Sequence, residues 1–227
     1  MLNNIKLSFV AISLTAMSLA SAQAATSSIV LHNTGVDSTG APLAAGSADP
    51  FWTVVAGPDI TTPHSAYVVT NQHPSSRYFE VPDARWISVS PGSYSTTHTT
   101  YTYELSFDLT GMDPKTASIE GYWGADNYGS IFLNGAAAIG NGWMSLPTGD
   151  VIDNYNYFHG FNITDGFVAG INRLSFTVTD VGAPSGLNVS GLRGTAISTA
   201  VPEASSPALV LAGVGTVAWV MRRRRKA

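Results

Sequence analysis

Three aromatic side chains in a polar, glycine-rich stretch are the groups best suited to hold a ligand: Trp143, Tyr155 and Tyr157, between Asn134 and Phe158. A sugar can lay its apolar face on such rings while neighbouring amides and carboxylates take its hydroxyls. Core filling is the other use of an aromatic, and it suits Trp52, Trp86 and Trp123, which stand in strand-like runs. Trp143 has the loop formers Asn141, Gly142 and Ser145 around it, so it is expected at the surface.

Catalytic sets are harder to assemble. Glycoside hydrolysis needs two carboxylates flanking a cleft. Asp108, Asp126 and Asp165 fall instead at predicted strand ends or turns, where an aspartate binds nearby backbone. Serines abound, but no Gly-x-Ser-x-Gly elbow presents one as a nucleophile. His32, His64, His73, His98 and His159 are scattered, with no pair at metal-ligand spacing. Asp126, Asn127 and Asn134 offer hard oxygens, yet no Asp-rich calcium loop surrounds them. A protein that is not an enzyme, with no cofactor and no assigned metal, is the expectation.

The elements that must position these residues read as strands. In Tyr101-Thr102-Tyr103-Glu104-Leu105-Ser106-Phe107-Asp108-Leu109 the odd positions are apolar and the even ones polar, the alternation of a strand buried on one face. Further strands are predicted over Ser28 to His32, Phe51 to Ala56, Ala66 to Thr70, Ala117 to Trp123, Ser130 to Leu133, Tyr157 to Ile163, Arg173 to Thr179 and Asn188 to Ile197. Asn134-Gly135 after Ile131-Phe132-Leu133 marks a hairpin tip, since both residues tolerate positive φ. Prolines at 42, 50, 58, 63, 74, 82 and 91 keep the first half in short segments. A short helical turn is expected near Asp165 to Ala169. There is no internal repeat and no second globular domain.

Between the two termini, residues 25–201 carry five basic side chains against fourteen acidic ones, a formal charge of −9. Such a surface repels phosphate backbones and excludes nucleic acid as a partner class. With no cysteine in the chain, neither disulfides nor thiolate metal sites brace the fold, and packing must supply its stability.

Both ends carry addresses. Lys6, the apolar run Leu7 to Leu19 and Ala22-Gln23-Ala24 form an export signal, with cleavage predicted after Ala24. At the other end, Val201-Pro202-Glu203-Ala204 is followed by the apolar run Pro207 to Met221 and the cluster Arg222-Arg223-Arg224-Arg225-Lys226. The run is shorter than the roughly 20 residues of an ideal span, but snorkelling arginines extend its reach, so a transmembrane helix is predicted. The basic flank places the C-terminus in the cytoplasm and the preceding chain outside. Pro202 holds the motif extended, as a protease-like cleft requires.

This combination resembles the PEP-CTERM class of exported bacterial proteins. The resemblance covers Val201 to Ala227 and implies recognition and removal of the tail by an exosortase, in Gram-negative bacteria that make exopolysaccharide. Val201, Pro202, Glu203, Arg222, Arg223, Arg224 and Arg225 would form the sorting motif, although Ala204 stands where a second proline is commonest. In a bacterium the sequons Asn162-Ile163-Thr164 and Asn188-Val189-Ser190 are chance matches.

A second resemblance covers most of the domain. Gly35 to Leu43, Asp49-Pro50, Arg85-Trp86-Ile87, Tyr101-Thr102-Tyr103, Phe107 to Gly111, Ala125-Asp126-Asn127, Leu133-Asn134-Gly135, Gly166 to Asn172 and Gly186-Leu187 look like a recurrent exported β domain. Their later half is similar to galactose-binding-like jelly rolls. The implied fold is an all-β, jelly-roll-like antiparallel β-sandwich, with ligands held by loops at one end.

The organisation expected is therefore a signal peptide over 1–24, a β-sandwich over 25–199 and a sorting tail over 200–227. The leading functional expectation is a non-catalytic surface or matrix protein, delivered by its tail and associating with extracellular polysaccharide through Trp143, Tyr155 and Tyr157. An adhesive protein with protein contacts only, or a glycan-acting hydrolase, are the alternatives.

Overall fold

The computed structural model describes residues 24–70, 78–93, 98–148 and 154–199. The export signal before Ala24, the predicted transmembrane helix, and the motif residues Val201, Pro202, Glu203 and Arg222 to Arg225 lie outside the described residues. Ala24–Thr199 is one compact unit.

The described residues form twelve strands: β1 (Thr26–Ile29), β2 (Ala48–Ala56), β3 (His64–Val68), β4 (Ile87–Ser88), β5 (Thr99–Asp108), β6 (Met112–Asp126), β7 (Tyr128–Leu133), β8 (Ala136–Ala137), β9 (Ile139–Gly142), β10 (His159–Asp165), β11 (Ile171–Asp180) and β12 (Gly186–Ser198). Every pairing is antiparallel. Among these residues no helix is long and apolar enough to cross a membrane.

The period-two pattern of β5 is realised as read: Tyr101, Tyr103, Leu105 and Phe107 are all buried, while the residues between them face outward. Rather than two separate sheets, the strands run in one path, β8-β7-β11-β5-β2-β3-β4-β12-β6-β10-β9, with β1 added beside β12. The segment after β9 returns to β7, where the Ile131 amide donates to the Met144 carbonyl at 2.8 Å and the Leu146 amide to the Gly129 carbonyl at 2.9 Å. The sheet is thereby nearly closed into a flattened barrel, which leaves little unpaired edge.

Phe176 of β11 sits where the two layers meet, with its ring 5.2 Å from Trp123 of β6, 5.8 Å from Phe161 of β10 and 5.7 Å from Trp52 of β2. Trp52, Trp86 and Trp123 are all fully enclosed. Their polar edges are satisfied: the indole N–H groups donate to the carbonyls of His32, Phe79 and Trp143 respectively.

Both prolines inside strands coincide with register shifts, Pro50 between Ala48 and Thr53 of β2, and Pro114 where β6 slips against β12. That is where a missing amide costs no ladder bond. The hairpin tip forms at Asn134 (φ 53°) and Gly135 (φ 80°), joining β7 to β8. The helical turn expected near Asp165 to Ala169 does not form. Asp165 ends β10, Gly166 takes φ 90°, and Asn172 binds the Val168 backbone through both its amide nitrogen and its oxygen, which holds the loop open. Side-chain hydrogen bonds there replace those a helical turn would supply.

Candidate functional site

Two of the aromatics singled out in the sequence are exposed where β9 leaves the sheet and β10 enters it. Trp143 follows β9 directly. Its amide donates to the Gly160 carbonyl at 2.9 Å and its carbonyl accepts the Trp123 indole at 2.8 Å, so its backbone is fixed at both ends. The side chain is 48 % exposed and packs one side against His159, ring to ring at 4.9 Å. Burial pushes the His159 imidazole below its ordinary value, so it meets Trp143 as a neutral ring at physiological pH. Tyr157, two residues before β10, is 66 % exposed.

Tyr155 is placed differently. It is half-buried against Val69, Tyr78 and Trp86, which form a small satellite core, with its ring 5.7 Å from Tyr78. The Tyr155 carbonyl also accepts the Phe79 amide at 3.1 Å. Tyr155 thus anchors the loop that presents Tyr157. Two further aromatics that the sequence did not single out stand beside this satellite core: Phe79, half exposed, meets Phe158 edge-on at 5.1 Å, and Phe158 lies 6.5 Å from Trp86. Tyr78-Phe79 stands in a stretch without alternation, so no periodic signal separated its buried ring from its exposed one.

Buried polar groups adjoin the satellite core. The Tyr78 hydroxyl donates to Asp126 at 2.6 Å; burial first, and Asp126 second, hold that phenol well above its usual range. The Asn154 amide donates to the carbonyls of Asn127 and Pro147. These bonds tie the loop carrying Tyr155 and Tyr157 to the end of β6.

Apart from Asp126, which takes the Tyr78 hydroxyl, the carboxylates and amides weighed for chemistry bond to the backbone. Asp108 accepts from the amide and hydroxyl of Thr110, which hold its carboxyl below the usual range, and Asp165 accepts from the Gly166 amide. Asn127 takes the Val181 amide. Asn134 bonds Gly166, Asn172 and the Arg173 amide. Among the described residues no three His, Cys, Asp or Glu side chains converge as a metal site. Asn188 of the second sequon is buried in the folded domain, out of reach of modification.

Residues 200–226 match the PEP-CTERM protein-sorting motif. The match marks an exported chain sorted through its C-terminal tail to the cell envelope or surface, and implies processing by an exosortase. No curated protein and no solved structure matches the chain.

Proposed function

We propose that this chain is a non-catalytic protein of the cell surface or extracellular matrix whose β domain holds extracellular polysaccharide. Before processing it is anchored in the inner membrane by its C-terminal helix, with the arginine cluster in the cytoplasm. The sorting motif over 200–226 supports the route. The observation that carries the binding role is the pair Trp143 and Tyr157, large rings open to solvent, the first on a backbone fixed at both its amide and its carbonyl. Rings ordered before binding lose little entropy when a sugar stacks on them. A non-catalytic role is supported by the turn-bound state of Asp108 and Asp165.

The test is affinity electrophoresis of the full-length chain through gels containing the polysaccharide of an exosortase-bearing host. Retardation without release of reducing ends is expected, and Trp143→Ala should weaken it about tenfold, the value of one lost stacking contact. Unretarded migration would remove the binding role. Release of reducing ends would instead establish the hydrolase.

A further inference from the structure

The outer face of β9, β10, β6 and β12 carries an arrangement separate from the Trp143 ring. By register, Asn141 of β9 stands opposite Asn162 of β10, Asn162 opposite Glu120 of β6, and Glu120 opposite Arg193 of β12. Side chains of directly paired residues share a face, so these four form one polar row across four adjacent strands. At about 4.8 Å per strand the row is about 14 Å long. Two residues along β6 stands Tyr122, 53 % exposed, opposite Gly160 and Ser190.

Glycine shapes the floor beside that ring. A Cβ added at Gly160 would lie 3.4 Å from one edge of the Tyr122 ring, and one added at Gly191 would lie 3.4 Å from the opposite edge. The Tyr122 ring therefore lies between Gly160 of β10 and Gly191 in the bulge of β12, neither of which has a side chain, and about half of it stays open. The groove so formed has a volume of roughly 270 Å³. On the other side of the Glu120–Arg193 pair lies a second hollow of roughly 280 Å³ beside Ser118 and Thr195. Two hollows in line across the row, with an aromatic platform and an amide and carboxylate rail, fit a chain laid along them.

Two observations define the chemistry of that chain. Asn141 and Asn162 line the groove with uncharged amides, groups that both donate to and accept from hydroxyls. The cation in the groove, Arg193, is bound to Glu120 at 2.6 Å, and the domain around it is acidic, so nothing there draws an anionic polymer. We propose that this face is a second glycan site that takes an extended, neutral polysaccharide, with Tyr122 as the stacking platform and the row Asn141–Asn162–Glu120–Arg193 as the hydroxyl-binding rail. The assignment rests on the reading of the domain as a polysaccharide binder and adds a location and a ligand class to it.

The experiment is affinity electrophoresis of the full-length chain and its variants in gels of hydroxyethylcellulose, glucomannan or polygalacturonate, with melting temperatures taken on every variant. Retardation by at least one neutral polymer and not by polygalacturonate is expected. Tyr122→Ala and Asn162→Ala should each weaken it about tenfold with melting unchanged, whereas Tyr122→Phe, which keeps the ring, should bind as the native chain does. Retardation that survives Tyr122→Ala and Asn162→Ala but is lost in Trp143→Ala overturns the groove and leaves the Trp143 site standing. Loss in the groove variants alone supports the groove and removes Trp143 from the function. Retardation by polygalacturonate only, or by none of the polymers, overturns the assignment.

Discussion

Asn172 shows how this fold uses polar residues in place of cysteine. It is fully buried, and its amide nitrogen donates to the Val168 and Gly170 carbonyls at 2.7 and 2.9 Å. Its oxygen accepts from the Val168 amide and the Asn134 side chain, both at 2.9 Å. Two motifs separated in the chain, Leu133-Asn134-Gly135 and Gly170-Ile171-Asn172, are thus one joint. Asn172→Ala is expected to cost about 3 kcal/mol, since several buried groups lose partners together, and urea unfolding measures it. Asp49 works in the same way: it accepts the amides of Gly35, Phe51 and Trp52, and so clamps the Gly35 to Leu43 loop onto β2. Two histidines contribute to the acid response near neutral pH. Burial lowers the pKa of both His32 and His159, so the fold favours their neutral forms. Their contribution is full above about pH 6.5 and is lost as pH falls from there through the lowered folded values, because the unfolded chain takes up protons first. His159→Phe should therefore lose less unfolding free energy than the native chain between about pH 7 and pH 5, as followed by denaturant titration.

Glycine decides the elements at the closure. β9 reads Ile-Gly-Asn-Gly and all four residues are exposed, so no alternation announced it as a strand. It pairs with β10 because glycine lets it pass closely. A Cβ at Gly140 would run into the Asn162 carbonyl, and one at Gly142, which also has φ 90°, into the Gly160 carbonyl. Gly140→Ala should push β9 off β10, at a cost of roughly 1–3 kcal/mol. It should also weaken glycan retardation, because Asn141 and Trp143 lie on the displaced segment. An unchanged melting temperature in Gly140→Ala would show that the close approach is not required. The same logic applies on the other side of the closure, where Gly129 of β7 faces the Thr177 carbonyl of β11.

At the scale of the molecule, residues 24–199 bury their large aromatics within their own sheet, and the layers meet through Phe176, Trp123 and Phe161. A domain with its own closed core does not need its tail to fold. A chain ending at Thr199 is expected to unfold in one cooperative transition, with the same midpoint as the full-length protein in detergent, by circular dichroism. Such independence suits a protein whose tail is removed during sorting. The acidic surface and the paired state of Arg173 and Arg193, with Glu104 and Glu120, disfavour an anionic polymer, in line with the neutral ligand proposed above.

Local patterns in the chain announced what depends on neighbours in sequence. Alternation announced β5, Asn134-Gly135 its hairpin, and the terminal Pro-Glu, apolar and arginine segments the sorting route. Each reflects a property of consecutive residues: pleat, turn dihedral or length of apolar run. Tertiary structure alone decided the rest. That Tyr155 turns inward while Tyr157 stays outside depends on Tyr78 and Trp86, far away along the chain. The joining of Asn141, Asn162, Glu120 and Arg193 in one row depends on the register of four strands and the bulges between them. A slip of one residue would turn each side chain to the other face, so only the folded sheet can specify which residues meet.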